Sequence, residues 1–232
     1  MSIDSSSDPL NALLARSVDL ERGLNEFLGL PTYDGSDRSR VSRAMCAISY
    51  EHAESAKVLT ATGNFTSAVG LLRLQYEALV RALWIFYAAS DASVAKLAVS
   101  LSAESAQKAA KLPMVSEMLE KMAGKAPAEA LGPLHEFKDH QWKALSSFVH
   151  GGLHAIDRHE KGYPVLLLLQ LVLSSNGLLV MTGMLLVILH GGGRHQGRIP
   201  ELYMKFEDCL PPPQGVPMIR RFVKVDGPEG RS

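Results

Sequence analysis

Arg73, Glu77 and Arg81 follow one another at four-residue steps in Leu72-Arg73-Leu74-Gln75-Tyr76-Glu77-Ala78-Leu79-Val80-Arg81. On a helix that spacing sets one carboxylate between two guanidinium groups along a single face. The neighbouring leucines, Val80, Trp84 and Phe86 make the same helix apolar over much of its circumference. A charge drawn into such a surface needs a partner, because an unpaired buried charge is costly. Two readings stand. The three residues form a solvated ion-pair ladder on an exposed stripe, or they form a polar cluster inside the fold that serves as a structural network or holds an anionic ligand.

A second constellation lies in Trp142-Lys143-Ala144-Leu145-Ser146-Ser147-Phe148-Val149-His150-Gly151-Gly152-Leu153-His154. Lys143, Ser146, Ser147 and His150 recur at spacings of three, four and seven, which gives this helix a polar face beside an apolar one. His150 falls at the helix C-terminus, where the dipole favours imidazolium and where a titrating ring suits general acid/base work. The structural alternative is a capping histidine bonded to terminal carbonyls or to Glu77. His150 and His154 would begin a metal site with Asp157, His159 or Glu160, but Gly151-Gly152 interrupts the helix that would align them. There is no HExxH and no paired-cysteine pattern, so no metal and no cofactor are expected. Ser147, His154 and Asn176 join Arg73, Glu77 and Arg81 as candidates for a ligand-binding polar cluster; His150 and Lys143 are the candidates for catalysis. No GxSxG elbow, phosphate loop or GxGxxG follows a strand, and Gly191-Gly192-Gly193 ends a helix instead of starting one.

These side chains have to be positioned by helices. Asp8-Pro9 reads as a cap and first turn of a helix to Leu28. A second helix is expected from Asp37 to Thr62, stopped by Gly63-Asn64. Further helices are read at 65–89, at 92–112, from Pro113 to Met122, and at 133–149, the last preceded by a hinge-like stretch from Gly124 to Pro133. A seventh covers 164–190, and a short amphipathic one follows Pro200. The sequence predicts an all-α, up-and-down bundle of six to seven helices in one domain, 1–210, with a Pro/Gly-rich tail at 211–232. Within the tail, Met218–Val225 could pair as a strand.

Composition limits the functions open to such a fold. Apolar residues make up 47% and charged residues 21% of the 232, which describes a globular chain. The formal net charge is zero, which weighs against bulk attraction to nucleic acid or an anionic membrane. Two unpaired cysteines, Cys46 and Cys209, fit a reducing compartment, and Met1–Pro9 lacks the order of a signal peptide, so a cytoplasmic location is expected. The segment from Tyr163 to Leu189 has no charged residue and is long enough to cross a membrane. Gln170, Ser174 and Gly177 share one stripe of it, which suits a buried bundle helix packed against neighbours; a membrane helix could use the same stripe.

Three stretches carry a resemblance: Ser49-Tyr50-Glu51-His52-Ala53, Leu71 to Trp84, and Ser147-Phe148-Val149-His150-Gly151-Gly152. With weaker support from Gly162-Tyr163-Pro164 and Asn176-Gly177, they resemble a family of uncharacterised bacterial helical proteins, a domain of unknown function. That resemblance implies a soluble helical bundle and assigns no activity. More distantly the chain is similar to the HEPN group, helical dimers that include ribonuclease toxins carrying Arg, four to six residues, then His. Here the matching arrangement is Lys143, six residues, then His150, and lysine cannot clamp phosphate as the guanidinium fork does. Three functions follow as expectations. The first is a non-catalytic bacterial module acting through homodimerisation or a protein partner in a stress, defence or toxin–antitoxin setting. The second is a metal-independent ribonuclease using His150, with RNA as partner. The third is a membrane-anchored protein spanning at 164–190.

Overall fold

In the computed structural model, which describes residues 8–109, 112–195 and 197–212, the chain enters its first helix as its local chemistry dictates. Asp8 accepts a hydrogen bond from the Leu10 N–H at 3.0 Å and Pro9 takes the first helical position of α1 (Pro9–Leu28). Ser36, one residue ahead of the expected start, caps α2 (Asp37–Ala61). Gly63, at φ +80°, turns the chain through the left-handed region into α3 (Phe65–Tyr87). At the far end of α3, Arg38 donates to the carbonyls of Ile85 and Ala89 and to Asp91, supplying the donors that terminal carbonyls lack.

The expected helix at 92–112 is two, α4 (Asp91–Ala98) and α5 (Ala103–Ala109). Val99 is extended between them, and Ser102 accepts from the Ser105 N–H at 3.1 Å, restarting the helix. Then come α6 (Val115–Met122) and α7 (Ala128–Val149). The helix expected from Pro133 thus begins five residues earlier: a proline this close to a helix start removes only one carbonyl's donor, and the coil is maintained through it. Gly151, at φ +64°, breaks the coil before α8 (Leu153–Lys161), an element the sequence reading did not separate. The apolar α9 (Val165–Leu189), a 3-10 turn at Gly193–His195, α10 (Arg198–Lys205) and a second 3-10 turn at Glu207–Cys209 complete the chain. The protein is all-α, with ten α-helices and no strand among the described residues, against the six to seven helices expected. The tail beyond Pro212, and with it the strand considered at Met218–Val225, lies outside the described residues.

α2 and α3 form an antiparallel pair, α9 packs across α1, α2 and α3, and α6 and α7 cover the other side of α3. α9 is by length and composition a candidate membrane span, and 72% of its most apolar window is buried against these neighbours. Its polar residues explain how it packs. The Gln75 side-chain amide donates to the Ser175 carbonyl, and the Ser175 hydroxyl returns a bond to Gln75 Oε1, both at 2.8 Å. Ser49 bonds the Gln75 carbonyl and Thr182. The expected Gln170/Ser174/Gly177 stripe divides: Gln170 is exposed, Ser174 accepts from Gln141 at 3.1 Å, and Gly177 lies against Pro211 so closely that a methyl group there would meet its ring at 2.9 Å.

Candidate functional site

The register between α3 and α7 is set by Tyr76. Its hydroxyl donates to the Leu134 carbonyl at 2.8 Å, and its ring stacks on Phe137 at 4.5 Å and meets Trp142 edge-on at 6.0 Å. One helical turn earlier on α3, this alignment holds Arg73 opposite the C-terminal end of α7. There the guanidinium carbon lies 4.4 Å from the Trp142 ring centroid, a cation–π contact. Its Nε donates to Glu77 Oε1 at 2.8 Å, and its Nη1 lies 3.2 Å from His150 Nε2. A guanidinium only donates, so Nε2 accepts and the bonded ring is the neutral tautomer with its hydrogen on Nδ1. Arg73 and Glu77 keep 13% and 26% of their side-chain surface in solvent, so the pair is neither a solvated ladder nor a fully buried one.

Arg73, Glu77 and His150, singled out from separate stretches of sequence, therefore converge, with Trp142 as the ring beneath them. The remaining candidates are placed elsewhere. Glu77 is bonded to Arg73, and the Nε of Arg81 is buried without a hydrogen-bond partner, so the carboxylate does not bridge two arginines. Lys143 is exposed on α7, two turns before His150. Ser147 holds the α7–α8 turn: its hydroxyl accepts from the His154 N–H at 3.0 Å and its carbonyl from the Gly152 N–H at 2.7 Å. The His154 side chain is exposed. His150 ends α7 by its backbone, donating to the Ser146 carbonyl at 3.1 Å, while its ring meets Arg73 and not Glu77. Asn176 is fully buried in another part of the fold, donating to Ser17 Oγ and to the Cys209 carbonyl, both at 2.8 Å. Among the described residues, no three His, Cys, Asp or Glu side chains gather where a metal ion could be held.

Sequence reasoning missed a buried ion pair. Lys57 Nζ donates to Glu21 Oε1 at 2.6 Å, with 5% and 12% of the side-chain surfaces exposed, and the Tyr50 hydroxyl donates to the Glu21 carbonyl at 2.8 Å. The signal was present: Lys57 falls among Ala53, Ala56 and Thr60 on the inward face of α2. Burial pushes the Lys57 ammonium below its ordinary range, with Glu21 opposing.

Burial has the opposite consequence for the acids nearby. It pushes the Cys46 thiol and the Tyr50 and Tyr76 phenols up, and the Cys209 thiol from 9.0 to about 11, helped by Asp208. An acid that keeps its proton longer when folded lets the unfolded chain ionise first, so stability falls as pH rises through the ordinary thiol and phenol ranges. Lys57 works in the other direction, since the folded chain releases that proton first. The Tyr87 phenol is raised by burial as well, so five acids oppose one base and set the sign once thiols and phenols both ionise. The urea midpoint is expected to fall from about pH 9 to pH 10.5, which denaturation curves across that range would check; a flat or rising midpoint would show that these side chains open to solvent.

The model of a family of unknown function (DUF6988) matches residues 46–212. No curated protein and no solved structure matches the chain.

Proposed function

We propose, from the premise that this chain belongs to the DUF6988 family, that it is a non-catalytic, cytoplasmic helical module acting through dimerisation or a protein partner. The single observation that carries this reading is the commitment of Arg73. Its guanidinium is held by Glu77, stacked on Trp142 and turned to His150, so the His150 Nε2 lone pair that a general base would use is already occupied. The group that would steady a phosphate is engaged as a tie between α3 and α7. A bacterial stress, defence or toxin–antitoxin setting is part of the proposal and rests on the sequence resemblance alone, the Lys143 to His150 spacing set beside that of the HEPN group.

α8 supports the binding half of the reading. It buries Ala155 and presents Leu153 and Ile156, one turn apart, at 75% and 52% exposure. Lys161, at the end of the same helix, is ion-paired to Asp157 of its own chain, so the exposed apolar pair is what a second copy of α8 would cover in a self-complementary C2 contact. Sedimentation velocity over a hundredfold range of concentration is expected to show a reversible dimer that Leu153→Asp/Ile156→Asp disperses. A monomer throughout, in wild type and variant alike, would remove dimerisation through α8.

One observation favours a second reading, the metal-independent ribonuclease. His150 and Lys143 are both exposed, seven residues apart on one face of α7, and a guanidinium lies at 3.2 Å from the imidazole. In that reading RNA would displace Arg73 from His150, and the three groups would face one phosphate.

A further inference from the structure

The ladder read from the sequence comes apart at its second arginine. Glu77 Oε1 is taken by Arg73 at 2.8 Å, and among the described residues Arg81 makes no ion pair and no hydrogen bond. Its side chain is half-buried: Nε is shut off from solvent, while the side chain as a whole still reaches it. A guanidinium drawn partly out of water ordinarily has an anionic partner, because a desolvated charge is costly alone.

One turn further along α3, Trp84 keeps only 2% of its surface in solvent, and its indole N–H has no acceptor either. Residues three apart share a helix face, and a helical aromatic side chain leans over the turn before it, here the turn that carries Arg81. Buried donors are paired in the great majority of cases, so two unpaired ones a turn apart are a departure that a single acceptor resolves. Both side chains only donate, which makes the matching group an acceptor. Arg73, Glu77 and Arg81 together carry one net positive charge, with Glu77 already spent on Arg73, so a singly charged anion balances the set.

We propose that Arg81 and Trp84 form a carboxylate-binding site. The guanidinium takes the planar acid through two parallel N–H bonds, and the indole N–H donates to the oxygen nearer the core. The acid enters from the solvent side of Arg81, whose side chain turns on its stem to present Nε. A carboxylate matches both the fork and the charge, whereas a phosphate dianion exceeds the charge on offer. The site uses neither the Arg73–His150 contact nor the apolar pair of α8, so it stands or falls separately from the dimer.

The chain has two tryptophans, which makes the test direct. Their indole 15N–1H resonances are assigned by Trp142→Phe, and sodium acetate is titrated at constant ionic strength against sodium chloride. Acetate is expected to move the Trp84 resonance along a saturating curve that chloride does not reproduce. Arg81→Gln should weaken that binding about tenfold or more, the scale of a lost charge-assisted hydrogen bond. The same variant should leave the melting temperature unchanged or raised, because it removes a cation without a partner. A capped glutamyl peptide binding more tightly than acetate assigns the site to an acidic side chain of a protein partner; acetate binding as tightly or more tightly assigns it to a small carboxylic acid. The same drift in acetate and chloride, saturation by inorganic phosphate alone, or a clearly lowered melting temperature in Arg81→Gln would overturn the proposal.

Discussion

Lys57→Ala is expected to cost the fold about 3–5 kcal/mol, the scale for removing one partner of a buried ion pair. The size follows from what remains. Glu21, with 12% of its side chain exposed, would lose the ammonium at 2.6 Å while Tyr50 occupies its backbone carbonyl and not its carboxylate. The stranded carboxylate has to take up a proton or draw in water through packed walls of α1 and α2, and either route opposes folding. Replacing both partners at once tests the cause. Lys57→Met with Glu21→Leu removes two desolvated charges together and should restore most of the loss or exceed the wild type. Urea denaturation of the two single variants and the double variant, followed by circular dichroism, gives the coupling directly. Single-variant losses under about 1 kcal/mol would show that the pair behaves as a surface pair.

Arg73→Ala is expected to cost about 2 kcal/mol, combining a partly desolvated cation–π contact with a partly exposed ion pair and the lost packing of the side-chain stem. The discount relative to Lys57 comes from Glu77, which keeps 26% of its side chain in solvent and can rehydrate when its partner is removed. Arg73→Lys should recover less than half of the loss, because an ammonium neither stacks on Trp142 as a plane nor donates to Glu77 and His150 together. The imidazole nitrogen shifts of His150 provide a second readout. In the wild type Nε2 is the bare nitrogen and Nδ1 carries the hydrogen, and in Arg73→Ala the ring should exchange between tautomers. A His150 ring indifferent to Arg73 would separate the two residues.

Much of this was legible in the sequence, for identifiable reasons. Helix ends marked by strong local chemistry fell where they were expected, at Asp8-Pro9, at Gly63 and at Pro164 before α9, since caps and glycine turns act within a few residues. The break at Val99–Ser102 was hidden, because Val, Ser and Leu carry no strong stop signal. α8 was hidden too, because glycines read as the end of one helix said nothing of another beginning two residues later. Of the candidate site, the spacing identified Arg73, Glu77 and His150, and their meeting depends on the α3–α7 register that Tyr76 and Phe137 set across sixty residues of chain. Periodicity along one helix cannot state such a register. The same limit explains Arg81, which shares a helical face with Glu77 yet makes no bond to it, and Asn176, whose partners Ser17 and Cys209 come from distant segments.

The central claim is that Arg73, Glu77, Trp142 and His150 form a structural tie and not a catalytic centre. Incubation of the purified chain with single-stranded RNA in excess chelator tests it most directly. No cleavage above a protein-free control is expected from the wild type, and none from His150→Ala, Lys143→Ala or Lys143→Arg. Robust metal-independent cutting by the wild type that falls a hundredfold or more in His150→Ala and persists or rises in Lys143→Arg would contradict the account and establish the ribonuclease.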